Sequence, residues 1–258
     1  MLQKIILFFC SIFFVCSIVN AQPKSYSVAN AHSHNDYEQK VPFFTAYSAR
    51  FGSIEEDIFL INNELIVGHD TVEVKKHRTL QQYYLDPLLK FVRQNNGHAY
   101  PNQVRKLQML IDIKTDSINT LNKLIEILKD YPALINNKTI TWAITGNRPS
   151  QELFTRYPSF ISFDGELYKD YSAQALTRIV MLSDDFRNYS QWNGNNIIPV
   201  KDKSILQNAI SKAHQLHKPV RFWDAPDNPN TWKQFMQLKV DFINTDHIDQ
   251  LAAFLKKK

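Results

Sequence analysis

Eight short apolar runs, separated by helical or polar stretches, set the strongest limit on how this chain can fold. They occupy residues 27–31, 53–59, 107–113, 139–144, 160–163, 179–182, 219–223 and 241–244. Their brevity and nearly continuous apolar character are those of parallel strands covered on both faces. Amphipathic helices fall between them. Leu121, Leu124, Ile125 and Leu128 share one helical face at i, i+3, i+4, i+7, and Ile248, Leu251, Ala252 and Leu255 repeat the spacing. Ser204 and Gln207 have the spacing of a capping box and are expected to open another helix. Asn62-Asn63 predicts a hairpin into Leu65-Ile66-Val67-Gly68. Eight strands with intervening helices predict the α/β class and a single (βα)8 TIM-type barrel. An open doubly wound sheet is the alternative, but no glycine-rich phosphate loop follows the first strand, and the chain has only 6 glycines. Residues 75–106 read as a helix plus an excursion rather than a second domain.

Residues 1–21 read as an export signal. Lys4 supplies the positive start, an uncharged apolar run follows, and Val19-Asn20-Ala21 ends on the small residue at which cleavage is expected. The run is shorter than the roughly 20 residues that span a bilayer. Residues 22–258 are then one barrel domain, exported to the periplasm or secreted, with no stable membrane anchor after cleavage. The 2 cysteines, Cys10 and Cys16, both fall in the signal, so the exported domain has no disulfide or thiolate chemistry. Neither follows a small residue, which argues against lipidation. The net charge of +5 includes Lys256, Lys257 and Lys258, and no basic stripe carries interleaved aromatics. That excludes nucleic acid as an expected partner.

Barrel enzymes carry their chemistry at the C-terminal ends of the strands, and polar residues collect there. The first strand runs into His32-Ser33-His34-Asn35-Asp36-Tyr37, and the hairpin runs into His69-Asp70. Asp112-Ile113-Lys114 ends the third strand, and Asp164 and Ser183-Asp184-Asp185 end the fifth and sixth. Arg221-Phe222-Trp223-Asp224 and Asn244-Thr245-Asp246 end the last two. Any one of these is also a reasonable helix cap, Asp246 above all. Within a strand, i and i+2 share a face, so Glu55 and Asp57 project together while Glu56 turns towards the helices, and Asp112 pairs in direction with Lys114. Glu55, Asp57 and Asp112 make an oxygen-only ligand set suited to Mg²⁺ or Ca²⁺ rather than zinc. The alternative is that Glu55 or Asp57 simply pairs with Lys114.

These strings resemble the glycerophosphodiester phosphodiesterase and phosphatidylinositol-specific phospholipase C-like superfamily. Ala31-His32-Ser33-His34-Asn35-Asp36-Tyr37, Glu55-Glu56-Asp57, His69-Asp70, Asp112-Ile113-Lys114 and Phe242-Ile243-Asn244-Thr245-Asp246 carry the resemblance. The opening is similar to a branch that includes a fungal mitochondrial-inheritance group. The family's His-Arg-Gly is absent, so its phosphate-binding arginine has no counterpart there, and Asp112 stands where typical members have glutamate. The resemblance implies a metal-dependent phosphodiesterase acting on a small-molecule or phospholipid-derived substrate. Attack by a neighbouring hydroxyl would give a cyclic phosphate. Two histidines would serve as acid and base: His69, with either His32 or His34. Lys114 would offset negative charge, and Tyr37, Arg221 and Trp223 are candidates to line the substrate mouth, Trp223 being equally a core aromatic. His77, His98, His214, His217 and His247 are expected at the surface. Two other readings stand beside this one: a zinc amidohydrolase, suggested by His32-x-His34, and a non-catalytic barrel binding a phosphorylated or sugar ligand.

Overall fold

A computed structural model of the chain describes residues 22, 23 and 25–257. The expected signal, residues 1–21, lies outside the described residues. Among the described residues nine strands form one sheet: β1 (Ala31–Ser33), β2 (Ser53–Ile61), β3 (Glu64–Val67), β4 (Leu107–Ile113), β5 (Ile140–Gly146), β6 (Ile161–Glu166), β7 (Ile179–Asp185), β8 (Val220–Trp223) and β9 (Ile243–Thr245). Eight are parallel, in the order β8-β7-β6-β5-β4-β2-β1-β9, and β3 is an antiparallel flap on β2. The two ends meet where Arg221 bridges Phe242 and the amides of Asp241 and Phe242 donate to Val220 O. The result is a nearly closed (βα)8 barrel with helices between the strands, as the alternation requires. No described helix is long and apolar enough to cross a membrane.

The apolar core lies mainly between strands and helices. Leu121, Leu124 and Leu128 of the helix Ser117–Lys129 and Leu251 and Leu255 of Ile248–Lys256 are buried, so both apolar stripes face the sheet. Inside the barrel a small plug of Leu110, Ala143 and Met181 closes the middle, and polar residues fill the space towards the strand ends. The hairpin turns at Asn62 and Asn63, at φ 48° and 67°, values that asparagine tolerates.

Three expectations need correction. The first strand starts at Ala31, because Ser27 and Asn30 exchange capping hydrogen bonds that wind Val28–Asn30 into a 3-10 turn. His32 is therefore inside a strand rather than beyond its end. The helix Val200–Gln215 begins after Pro199, and Ser204 lies within it instead of capping it. His98 and His214 are half-buried rather than exposed, His214 being bonded to Asp241 at 2.8 Å.

Candidate active site

The parallel register puts the three carboxylates together. Ser53 stands beside Gln108, Glu55 beside Leu110, and Asp57 beside Asp112. Residues 53, 55 and 57 all face the barrel interior, while Glu56 points outwards into the helix layer, where it is fully buried. Glu55, Asp57 and Asp112 each offer an oxygen within 4.8 Å of the others, with no histidine in the group. Lys114 Nζ lies 2.9 Å from Asp57 Oδ2 and 2.8 Å from Asp112 Oδ2. Lys114 thus meets two of the three acids. Arg221 meets the third by donating to Glu55.

Burial, with the neighbouring Asp57 charge, pushes the Asp112 carboxyl up to about 6 against the pull of Lys114. Burial and Glu55 raise Asp57 as well. Burial also works to raise Glu55, but Arg221 and the His32 hydrogen bond outweigh it and hold Glu55 well below the usual carboxylate range. Asp57 Oδ1 and Asp112 Oδ1 are buried with no hydrogen-bond partner. Orphaned oxygens at the meeting point of three acids are what a hard cation satisfies, so the donor set fits a divalent cation that prefers oxygen ligands. Gly146 makes room for Asp112. A Cβ there would fall 1.9 Å from Asp112 Oδ1, and its φ of +68° disfavours any side chain.

The histidines divide. His32 is fully buried on β1 with Nδ1 2.8 Å from Ser53 Oγ and Nε2 2.7 Å from Glu55 Oε2. Burial, then Arg221, lowers its pKa to about 4, so it is neutral. Ser53 Oγ also accepts from Gln108 Nε2 at 3.1 Å, and His32 Nε2 lies 2.6 Å from Arg221 Nη1 as well as beside Glu55. His32 is held against Glu55 and does not line the cavity. His34, just past β1, does line it, with Nδ1 donating to Asp246 Oδ1 at 2.8 Å. Burial works to lower its pKa, but Asp246 and Glu55 prevail and raise it above the ordinary value. His69 is on the same wall, with Nδ1 3.1 Å from Asp57 Oδ2.

The cavity over these groups has a volume of about 690 Å³. Lys114, Arg221 and Trp223 line it, so Trp223, 38% exposed, belongs to the mouth and not to the core. Tyr37 does not line it. Its side chain is buried, with the hydroxyl donating 3.0 Å to Asp57 Oδ2. Asp246 does not cap the last helix; His247 holds that position, and Asp246 is turned to His34 instead. Asp164, expected at a strand end, lies within β6 and is fully buried. Arg148, beyond the end of the fourth barrel strand, also lines the cavity, paired with Glu166 at 3.0 Å. Its sequence signal is the polar strand end Thr145-Gly146-Asn147-Arg148.

The AIM6-like phosphodiesterase domain matches residues 24–153, half of the chain, including β1 to β5 with all three carboxylates, His34, His69 and Lys114. The chain belongs to the AIM6-like phosphodiesterase domain family. The glycerophosphoryl diester phosphodiesterase family matches residues 219–249, the segment with Arg221 and Asp246. Relatives of this AIM6-like chain include altered inheritance of mitochondria protein 6 of Kluyveromyces lactis, 27% identical over 88% of this chain and 72% of that protein. Its homolog in Arthroderma benhamiae is 26% identical over 86% of this chain and 82% of that one. The fold is that of a glycerophosphodiester phosphodiesterase from Parabacteroides distasonis, with a TM-score of 0.58 at 14% identity, over 88% of this chain and 97% of the other. The AIM6-like match, the glycerophosphoryl diester phosphodiesterase match at residues 219–249 and this fold together support the glycerophosphodiester phosphodiesterase-like superfamily that the motifs implied.

Proposed function

We propose that the protein is a phosphodiester hydrolase dependent on Mg²⁺ or Ca²⁺, acting on a small or phospholipid-derived phosphodiester, and exported to the periplasm or beyond. One observation carries the catalytic reading. Two histidines on the wall of one cavity each have Nδ1 tied to a carboxylate, His34 to Asp246 and His69 to Asp57, beside three converging acids. A carboxylate on Nδ1 fixes the ring and the tautomer, and directs proton transfer to the other nitrogen. Phosphodiester cleavage needs one proton taken from the attacking hydroxyl and one given to the leaving alkoxide. His34 and His69 are assigned those two roles, and His32 holds Glu55.

Glu55, Asp57 and Asp112 would hold the cation, whose chemistry when bound would be charge relief at the phosphoryl oxygens and a lowered pKa for an adjacent hydroxyl. Lys114 and Arg221 add positive charge to the same floor. Arg221 reaches it from β8, and so supplies an arginine that the first-strand motif lacks. A substrate with a hydroxyl next to the phosphate would be attacked by that group and give a cyclic phosphate, in keeping with the family resemblance. Trp223 offers the alcohol an apolar face. The export proposal rests on residues 1–21 alone.

The zinc amidohydrolase reading is less well supported. His32 is turned to Glu55 and His34 to Asp246, and no histidine joins the metal-capable group among the described residues. The test is a panel of glycerophosphodiesters, lysophospholipids and phosphatidylinositol, assayed with and without EDTA. Cation-dependent release of an alcohol or a cyclic phosphate from at least one is expected. Binding without turnover of any would favour a non-catalytic barrel.

A further inference from the structure

Arg221 stands between two buried carboxylates on different walls of the barrel. Its Nη1 donates to Glu55 on β2, and its Nη2 lies 3.9 Å from Asp164 Oδ2 on β6. Asp164 is fully buried. Its Oδ2 accepts from Ser183 and from Thr145 Oγ1, while Oδ1 has no partner. The Nε of Arg221 is likewise buried without a partner. The guanidinium thus fills one carboxylate and stops short of another that has acceptor capacity to spare.

Glu55 is also an acid of the cation site. A cation seated there must share Glu55 with Arg221, and the two positive charges repel. Asp164 is the nearest other carboxylate, and a shift of about 1 Å would bring Nη2 to hydrogen-bond length. We propose that Arg221 has two seats, Glu55 without the cation and Asp164 with it, and that Asp164 is a positioning residue that tunes cation affinity without ligating the cation. Seated on Asp164, the guanidinium remains on the cavity floor, and the donors withdrawn from Glu55 become available to a phosphoryl oxygen. This rests on the cation-site reading given above.

The test is a double-mutant cycle read by calorimetric titration of the full chain with Mg²⁺ and Ca²⁺. Asp164→Asn should weaken cation binding roughly tenfold, because Arg221 loses its second seat. Arg221→Gln should tighten binding by a similar factor, because the competitor for Glu55 is gone. In the Arg221→Gln background, adding Asp164→Asn should cost less than about threefold. An equal loss in both backgrounds would mean that Asp164 acts by charge alone and would overturn the proposal, as would weaker binding by Arg221→Gln. If the wild type binds neither cation, the site reading falls and takes this one with it. If it binds and the cycle is additive, only the two-seat arginine falls. Circular dichroism checks each variant, and Asp164→Ser, which keeps a hydroxyl beside Ser183, replaces Asp164→Asn in the cycle should the latter not fold.

Discussion

His34 Nδ1 lies 2.8 Å from Asp246 Oδ1, joining residues 212 positions apart in sequence. The contact exists because β1 and β9 are parallel neighbours, with Ser33 beside Thr245. It also separates two histidines that the sequence could not tell apart. Under the proposed roles, His34→Ala and His69→Ala should each lower kcat by about 10²- to 10⁴-fold with little change in melting temperature. His32→Ala should act differently. It strips buried Glu55 and Ser53 of a shared partner and should cost roughly 3 kcal/mol of stability. Steady-state kinetics and thermal melts on the three variants check this. A stable His32→Ala protein with lost turnover beside an active His34→Ala protein would reverse the assignment.

The same contact sets a pH dependence. Asp246 helps to raise the His34 pKa, so Asp246→Asn should lower it. Whether His34 acts as acid or as base, its limb of the kcat/KM profile should move to lower pH. The stability sign follows from the raised value. The pairing contributes below the ordinary histidine pKa of about 6.5 and fades as pH rises through the higher folded value. Asp246→Asn should therefore destabilise the protein more at pH 5 than at pH 9. A limb that stays in place, or a loss of stability that grows with pH, would contradict the pairing.

What the sequence made legible was whatever depends on period. Alternation in β2 placed Glu55 and Asp57 together, and the apolar spacing at 121–128 and 248–255 marked two helices that bury those faces. What it hid depends on partners distant in sequence. Asp246 looked like a cap because nothing local reveals that β9 closes onto β1. Tyr37 looked like a mouth residue because its role comes from Asp57, 20 residues away. His32 and His34 are equivalent by spacing. They part only because the Ser27 and Asn30 caps delay β1 until Ala31, leaving His32 within the strand and His34 beyond it.

Glu56 provides a stability test away from the cavity. Both its oxygens are buried without a partner. Burial, then Asp36, Glu55 and Asp57, push its pKa well above the ordinary carboxyl value. Glu56→Met keeps the length of the side chain and removes the unsatisfied groups. It should stabilise the fold by about 1–3 kcal/mol, seen as a higher melting temperature. Turnover should be little changed, since Glu56 faces the helices. A marked loss of stability would show that the carboxyl is satisfied in solution.

The central claim is that Glu55, Asp57 and Asp112 hold the cation that the chemistry needs. Its most direct test is turnover of bis(p-nitrophenyl) phosphate after chelation and on return of Mg²⁺ or Ca²⁺, in the wild type, Glu55→Gln and Asp112→Asn. Turnover should vanish with EDTA and return with cation in the wild type, and both variants should need at least about tenfold more cation, if they recover at all. Turnover indifferent to EDTA, or none with either cation present, would contradict the account.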